Sequence, residues 1–91
     1  MNTKRERLQV IHDILKAIQA KDGKIRPTHI LYKANLSSQM LNEYLQDLID
    51  RGFVIENEQK KGKTYSLTDK GFEYLSEYKK VTDFIETFGL K

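Results

Sequence analysis

PTHILYKANLSSQMLNEYLQDLIDRG, residues 27–52, has the pattern of two helices joined by a tight turn. Pro27 suits the first position of a helix, because its fixed φ is helical and its missing N–H is not needed there. We therefore predict a short helix over residues 27–33 and a turn over residues 34–36, Ala-Asn-Leu. A longer helix follows the turn, and the rest of the chain is organised around this pair.

The longer helix is predicted to begin at Ser37 and to end near Asp50, before Gly52. The hydroxyl of Ser37 can accept a hydrogen bond from an unpaired N–H of the first turn. Apolar residues recur at spacings of three and four, as on the buried face of a helix. These inward residues are Leu36, Leu41, Tyr44, Leu45, Leu48 and Ile49. Two helices joined in this way form a helix-turn-helix, whose second helix enters the major groove of DNA.

The outward face of the longer helix carries short polar side chains in place of many lysines and arginines. Its residues are Ser38, Gln39, Asn42, Glu43, Gln46 and Asp50. Such side chains can reach base edges, and asparagine or glutamine can bind adenine through two hydrogen bonds. The functional interpretation is a base-contacting face, and the alternative is an ordinary polar face turned to solvent.

Composition and charge indicate a globular domain with a mildly basic surface. Of the 91 residues, 38% are hydrophobic and 32% are charged, which is typical of one folded domain. The net charge of +3 is compatible with a polyanionic partner. Residues 1–26 hold seven Lys and Arg against three Asp and Glu, whereas residues 27–52 hold two against three. The positive charge therefore lies beside the helix-turn-helix and not on it.

The sequence lacks features that several other classes of protein need. It has no cysteine, which excludes disulfides and thiolate metal sites and favours a cytoplasmic protein. No apolar run reaches the roughly 20 residues of a membrane span, and the first ten residues lack the apolar segment of a signal peptide. His12 and His29 have no metal-binding spacing, and the carboxylates are scattered. We therefore expect no enzyme activity, cofactor, metal or small-molecule ligand.

A helix is predicted before the helix-turn-helix and a β-hairpin after it. The helix, over residues 4–21, is predicted from apolar residues three or four apart, namely Leu8, Ile11, Ile14 or Leu15, and Ile18. Alternating β-branched and aromatic residues predict strands over 53–58 and 63–67, joined by Gln59-Lys60-Lys61-Gly62. As a wing, the hairpin would place Lys60, Lys61 and Lys63 beside sugar-phosphate. Alternatively, these lysines only keep a sheet edge soluble.

Thr68 is predicted to cap a last helix that runs from about Asp69 to Phe88. Two tracks along it have the alternating steps of a coiled coil: Gly71, Leu75, Tyr78, Thr82, Ile85, and Tyr74, Tyr78, Val81, Ile85, Phe88. In one interpretation the helix packs on the first helix, as we expect for Phe72 and Leu75. In the other, a second copy covers it. The predicted dimer residues are Leu75, Tyr78, Val81, Thr82, Ile85 and Phe88.

The order helix, short strand, helix, helix, two-stranded wing, helix is that of winged-helix proteins. Leu45-x-x-Leu48-x-x-x-Gly52-Phe53-Val54, followed by Tyr65-Ser66-Leu67-Thr68-x-x-Gly71-x-x-Tyr74-Leu75, resembles many small prokaryotic winged-helix regulators. THILYKANLS, residues 28–37, followed by Leu41 and Tyr44-Leu45, resembles small archaeal winged-helix proteins that dimerise through a long C-terminal helix, among them the ten-kilodalton chromatin proteins. The resemblance covers nearly the whole chain. It implies C-terminal helices paired as an antiparallel coiled coil, with both wings and both recognition helices facing DNA.

These patterns predict a mainly α fold with a two-stranded sheet (α+β). A winged helix-turn-helix domain spans residues 1–70, and a helix over residues 68–89 packs on it and extends into a dimer seam. The predicted function is that of a homodimeric DNA-binding protein, a transcriptional regulator, cytoplasmic and nucleoid-associated. Two alternatives remain: a sequence-nonspecific chromatin protein, and a protein-interaction module that does not bind DNA.

The predicted DNA-binding residues come from three elements. Residues of the short helix and the wing would touch phosphate, and residues of the recognition helix would face base edges. They are Thr28, Tyr32 and Lys33; Ser37, Ser38, Gln39, Asn42, Glu43 and Gln46; and Lys60, Lys61 and Lys63. The predicted partners are double-stranded DNA and a second copy of the chain.

Overall fold

The structure, a computed structural model, describes the backbone of residues 4–89 and the side chains of residues 7–89. Within these residues the chain forms four helices and one two-stranded antiparallel sheet. The elements are α1 (Lys4–Ala20), α2 (Pro27–Ala34), α3 (Ser38–Asp50), β1 (Val54–Gln59), β2 (Gly62–Leu67) and α4 (Asp69–Thr87). The predicted mainly α, winged-helix order is confirmed. No helix of the described residues is long and apolar enough to cross a membrane.

The turn between α2 and α3 depends on Asn35. Its φ of 55° and ψ of 53° are left-handed, a conformation that asparagine tolerates better than most residues. The N–H of Leu36 donates to the carbonyl of Leu31 at 3.0 Å, which closes α2. The hydroxyl of Ser37 accepts from the N–H of Met40 at 3.2 Å, so the predicted cap is confirmed. The turn lies one residue later than predicted because Ala34 remains helical.

The predicted inward face of α3 is the centre of the core. Leu41, Tyr44, Leu45 and Leu48 are buried, and Leu36 and Ile49 are partly buried against them. They share one apolar cluster with the side chains of Ile14, Leu15 and Ile18 from α1 and Ile30 from α2. The apolar stripe of α1 is shorter than predicted, because Leu8 is half exposed.

The junction of α3 and β1 reverses the chain at Gly52. Its φ of 83° is the left-handed value that closes a helix, and glycine adopts it without a side-chain penalty. The N–H of Gly52 donates to Ile49 at 3.1 Å and the N–H of Phe53 donates to Leu48 at 2.9 Å. These two hydrogen bonds fix the direction in which β1 leaves α3.

The wing pairs β1 with β2 in the register Val54↔Leu67 to Gln59↔Gly62, so that only Lys60 and Lys61 form the loop. The inner edge of the hairpin meets the connection between α1 and α2. There Ile25 forms an isolated bridge with Tyr65, whose N–H donates to the carbonyl of Ile25 at 3.3 Å. Both side chains are buried, which ties the wing to the helical core.

The start of α4 is held against the α3–β1 junction by hydrogen bonds and close packing. The hydroxyl of Thr68 accepts from the N–H of Gly71 at 3.1 Å and donates to the carbonyl of Gly52. Lys70 donates to the carbonyl of Arg51 at 2.8 Å. A Cβ at Gly71 would lie 2.5 Å from the carbonyl oxygen of Phe53, so only glycine fits there without movement.

The two halves of α4 have different surroundings. Leu75 is only 8% exposed within its own chain, as expected for the half of α4 that packs on the domain, so little of its side chain is left for the predicted dimer seam. Phe72 is 47% exposed and lines a surface cleft between α4 and α1. Tyr78 stacks on His12 with ring centroids 4.2 Å apart, and its hydroxyl donates to Gln9 at 2.9 Å. C-terminal to Tyr78, α4 has apolar side chains exposed at the surface.

We expect Gly71→Ala to destabilise the fold by about 1–3 kcal/mol, because the new methyl group would press on the Phe53 carbonyl and on Leu67. The melting temperature should fall by about 4–8 °C for each kcal/mol. The matched control is Ser76→Ala on the exposed part of the same helix, which should leave the melting temperature nearly unchanged. Equal melting temperatures for the Gly71 variant and the wild type would contradict the close packing described here.

Candidate nucleic-acid interface

The outward face of α3 is exposed along its whole length, as predicted. Its exposed residues are Ser38, Gln39, Asn42, Glu43, Gln46 and Asp50, with Met40 at one edge. The side-chain amide of Gln46 donates to Asp50 at 2.9 Å, so one of these groups is already oriented by its neighbour. The oxygen of Ser37 is used in capping α3 and lies at the start of this face. The arrangement is a rigid row of short hydrogen-bonding groups on one helix.

The charged residues beside this row are paired within the chain. Asp47 accepts from Arg51 at 2.8 Å and from Arg7 at 3.4 Å. The guanidinium of Arg7 also lies 5.5 Å from the ring centre of Tyr44. Glu43 lies on the same side of α3 and is exposed. Among the described side chains, α3 itself therefore presents hydrogen-bonding groups and carboxylates rather than free positive charge.

The predicted contacts on α2 are all exposed. Thr28 and Lys33 face solvent, and Tyr32 is 76% exposed, which is unusual for a large aromatic side chain. These residues lie on the helix that precedes the Asn35 turn and α3. The structure thus brings the α2 and α3 candidates onto neighbouring helices.

The three predicted lysines of the wing are in different surroundings. Lys60 and Lys61 form the exposed loop, as predicted. Lys63 lies 3.4 Å from the carboxylate of Glu56, so part of its charge is neutralised within the hairpin. The register explains this pairing, because Lys63 and Glu56 occupy neighbouring cross-strand positions. The structure groups Lys60 and Lys61 and sets Lys63 apart.

Sequence reasoning missed two cations of the connection between α1 and α2. Arg26 donates to the carbonyl of Lys61 at 2.8 Å and so reaches the tip of the wing. Lys24 lines the same open cleft, of about 620 Å³. The available signal was the spacing Lys24-Ile25-Arg26, which places two cations on one side of a short strand and an apolar residue on the other. The side chains of Lys4 and Arg5, which add to the N-terminal positive charge, lie outside the described residues.

The described residues offer no arrangement for metal chemistry. No group of three or more His, Cys, Asp or Glu side chains comes close enough to hold a metal ion within residues 7–89. His12 is stacked on Tyr78, and its Nδ1 lies 3.4 Å from Asp13. His29 is exposed on α2.

The fold and this surface define a winged helix with an exposed second helix of a helix-turn-helix and a basic hairpin tip. The chain belongs to the winged helix-turn-helix family, whose model matches residues 4–86. Two uncharacterized proteins of Methanocaldococcus jannaschii are similar in sequence. One is 34% identical over 70 residues, which are 77% of this chain and 30% of that protein. The other is 37% identical over 68 residues, 75% of this chain and 64% of that protein. The chain therefore spans less than two thirds of the length of both relatives.

Solved structures show the same fold in other proteins. Sso10a-2, a DNA-binding protein from Sulfolobus solfataricus, superposes with a TM-score of 0.75 over 89% of this chain and 82% of its own, at 21% identity. MepR, a transcription regulator of the Staphylococcus aureus multidrug efflux pump MepA, superposes with a TM-score of 0.78 over 87% of this chain and 60% of its own, at 16% identity. This winged-helix fold is thus similar to that of a transcription regulator.

The stability contributed by Tyr65, which ties the wing to the core, should depend on alkaline pH. Burial, and then the nearby carboxylates of Glu56 and Glu58, raise the pKa of Tyr65 above its ordinary value of 10.0. Because the folded-state pKa is the higher one, the stabilisation by neutral Tyr65 is complete below pH 10.0 and is lost as the pH rises through the raised value.

We therefore expect the free energy of unfolding to fall as the pH rises above 10.0, and to fall less steeply for Tyr65→Phe, which has no ionisable hydroxyl. Urea unfolding at several pH values measures this difference. Tyr32→Phe is the matched control, because Tyr32 is exposed. Identical pH profiles for Tyr65→Phe and the wild type would contradict the prediction.

Proposed function

We propose that this protein is a homodimeric DNA-binding protein that acts as a transcriptional regulator. In this proposal α3 reads base edges in the major groove, and α2 and the wing hold the phosphate backbone. The observation that carries the proposal is the exposed row of short polar side chains on α3, held on a helix whose two ends are both closed by hydrogen bonds. Recognition by direct contact needs such rigidly placed donors and acceptors.

The side chains of this row are better suited to hydrogen bonds with base edges than to neutralising phosphates. Gln39, Asn42 and Gln46 carry amides that can pair with adenine, and Glu43 can accept from the amino group of cytosine. Exposed cations that could neutralise phosphate are found on the neighbouring elements, at Lys33 of α2 and at the wing tip. Phosphate contacts at the flanks position a protein, and base contacts between them specify the sequence.

The comparisons supply independent support for a role on DNA. Sso10a-2 is described as a DNA-binding protein and MepR as a transcription regulator, and both share this fold. A nonspecific chromatin protein would use the same fold, but most of its affinity would come from neutralising phosphates. The acidic residues on and beside the α3 row disfavour that alternative. A protein-interaction module would show no binding to any duplex at low salt.

The exposed end of α4 supports the homodimer. Val81 is 58% exposed, Phe84 59% and Phe88 64%, and the rings of Phe84 and Phe88 lie 4.9 Å apart. Their spacing of three and four residues places them in one stripe, with Ile85 at its side. The prediction included Val81, Ile85 and Phe88 but missed Phe84. Of the other predicted seam residues, Tyr78 and Thr82 are partly buried in their own chain.

A second copy is the occupant that we assign to this stripe. Apolar side chains on two successive turns of a helix suit pairing with an identical helix, because each copy then covers the other. α4 has 19 residues and so extends for about 28 Å.

We expect Asn42→Ala to reduce discrimination between the preferred duplex and a random one by about 1–3 kcal/mol, since it removes a two-point contact with a base. Lys61→Ala should instead weaken binding to both duplexes about equally and lower the salt slope by about one. The measurement is a salt titration of binding to both duplexes, after selection of bound sequences from a random pool. Equal losses on both duplexes for Asn42→Ala would remove its base-reading role.

We expect Phe84→Lys to weaken the dimer by about thirty-fold or more, because a charge would replace a large side chain at the centre of the stripe. Light scattering over a concentration series measures the mass. Ser76→Lys is the matched control, since Ser76 is exposed on α4 away from the stripe and should leave the mass unchanged. A dimer that is equally stable in both variants would exclude this stripe as the seam, and a monomeric wild type would exclude the homodimer.

A further inference from the structure

The two faces of the wing carry different kinds of side chain. Because side chains alternate along a strand, residues of β1 and β2 that pair directly lie on the same face. On the face that bears Tyr65, the pairs are Glu56↔Tyr65 and Glu58↔Lys63. This face therefore holds both carboxylates of the hairpin, and the ion pair of Lys63 with Glu56 lies there.

The opposite face, which we name the outer face, is polar and uncharged at its centre. Its pairs are Ile55↔Ser66, Asn57↔Thr64 and Gln59↔Gly62. The side-chain amide of Asn57 donates to the hydroxyl of Ser66 at 2.7 Å and lies 3.4 Å from that of Thr64. These bonds hold the amide and the two hydroxyls in place on one surface.

Cations border the outer face on two sides. The connection between α1 and α2 runs along β2, and its bridge at Ile25 turns Ile25 inward. Lys24 and Arg26, one residue to either side, then lie away from the core and are exposed. The loop at the end of the hairpin adds Lys60 and Lys61.

These four cations surround a single cleft. It is lined by Lys24, Arg26, Lys60 and Lys61 together with Gln59 and Thr64, and no carboxylate of the described residues lines it. Arg26 spans the cleft, because its guanidinium donates to the carbonyl of Lys61 at 2.8 Å. Arginine has five donors in a rigid fork, so one hydrogen bond to a carbonyl leaves most of its donors free.

We propose that this cleft on the outer face of the wing binds a phosphate of duplex DNA, and that Lys24 and Arg26, not Lys63, complete the site with Lys60 and Lys61. The proposal deepens the proposed function and rests on it, because it states where the wing meets the DNA backbone. Arg26 has two tasks in it: it contributes charge, and it holds the loop that carries Lys60 and Lys61.

The distribution of charge indicates which face of the hairpin binds the phosphate. A phosphate in the cleft of the outer face meets four cations and the polar side chains of Gln59 and Thr64. A phosphate at the other face would meet Glu56 and Glu58, which repel it, and a lysine that is already paired. A salt bridge beside an incoming phosphate would also have to be broken before Lys63 could contribute its full charge.

The test is a salt titration of binding to a random-sequence duplex of about 20 base pairs, two turns of B-DNA. Each of Lys24→Gln, Arg26→Gln and Lys60→Gln should lower the slope of log K against log salt by about 0.9, because each removes one phosphate neutralisation. Lys63→Gln is the matched control and should leave the slope unchanged. Arg26→Lys keeps the charge, so it should restore the slope that Arg26→Gln loses.

The outcomes separate this proposal from the function on which it rests. If the wild type shows no binding at low salt, the DNA-binding function itself fails. If the wild type binds and only Lys63→Gln lowers the slope, DNA binding stands and the assignment of the outer face is overturned. Urea unfolding of every variant identifies a loss that comes from unfolding. Lys24→Gln keeps the test decisive, because the side chain of Lys24 makes no hydrogen bond or ion pair with the described residues.

Discussion

The contact of Gly71 with the carbonyl of Phe53 fixes how three elements meet. It brings the start of α4 against the turn that leaves α3, and the hydroxyl of Thr68 ties the same turn through the carbonyl of Gly52. The wing begins at this turn, so its direction relative to α3 depends on the contact. A recognition helix and a wing can contact one duplex together only if their relative position is held, and this junction holds it.

Charge is distributed around α3 rather than along it. Asp47 engages both Arg7 and Arg51, which lowers the positive charge next to the α3 row, and the cations that remain available lie on α2 and at the wing tip. A protein that binds any duplex benefits from cations wherever it touches the backbone. A protein that selects a sequence benefits from neutral donors and acceptors in the groove and cations outside it. The charge distribution around α3 is the one that the proposed base-reading function requires.

The last helix joins the winged-helix domain to the proposed dimer. Its first half is part of the core through Leu75, and its middle is held to α1 by the stack of Tyr78 on His12. Its end carries Val81, Phe84 and Phe88 on the surface. Because one continuous helix has both roles, the separation of two recognition helices in a dimer would be set by the rigid length of α4, as half-site spacing requires.

The sequence by itself determined the elements and their order, because local signals decide them. Pro27, Ser37 and Thr68 mark helix starts, Gly52 marks a helix end, and the stripe of α3 needs only periodicity. The exposed row on α3 follows from that stripe. Tertiary structure alone decided which charges act together: Arg26 reaches the carbonyl of Lys61, 35 positions away, and Lys63 pairs with Glu56 through the hairpin register. It also placed Leu75 in the core and left Phe84 exposed, because burial depends on where a helix leaves the domain and not on its period.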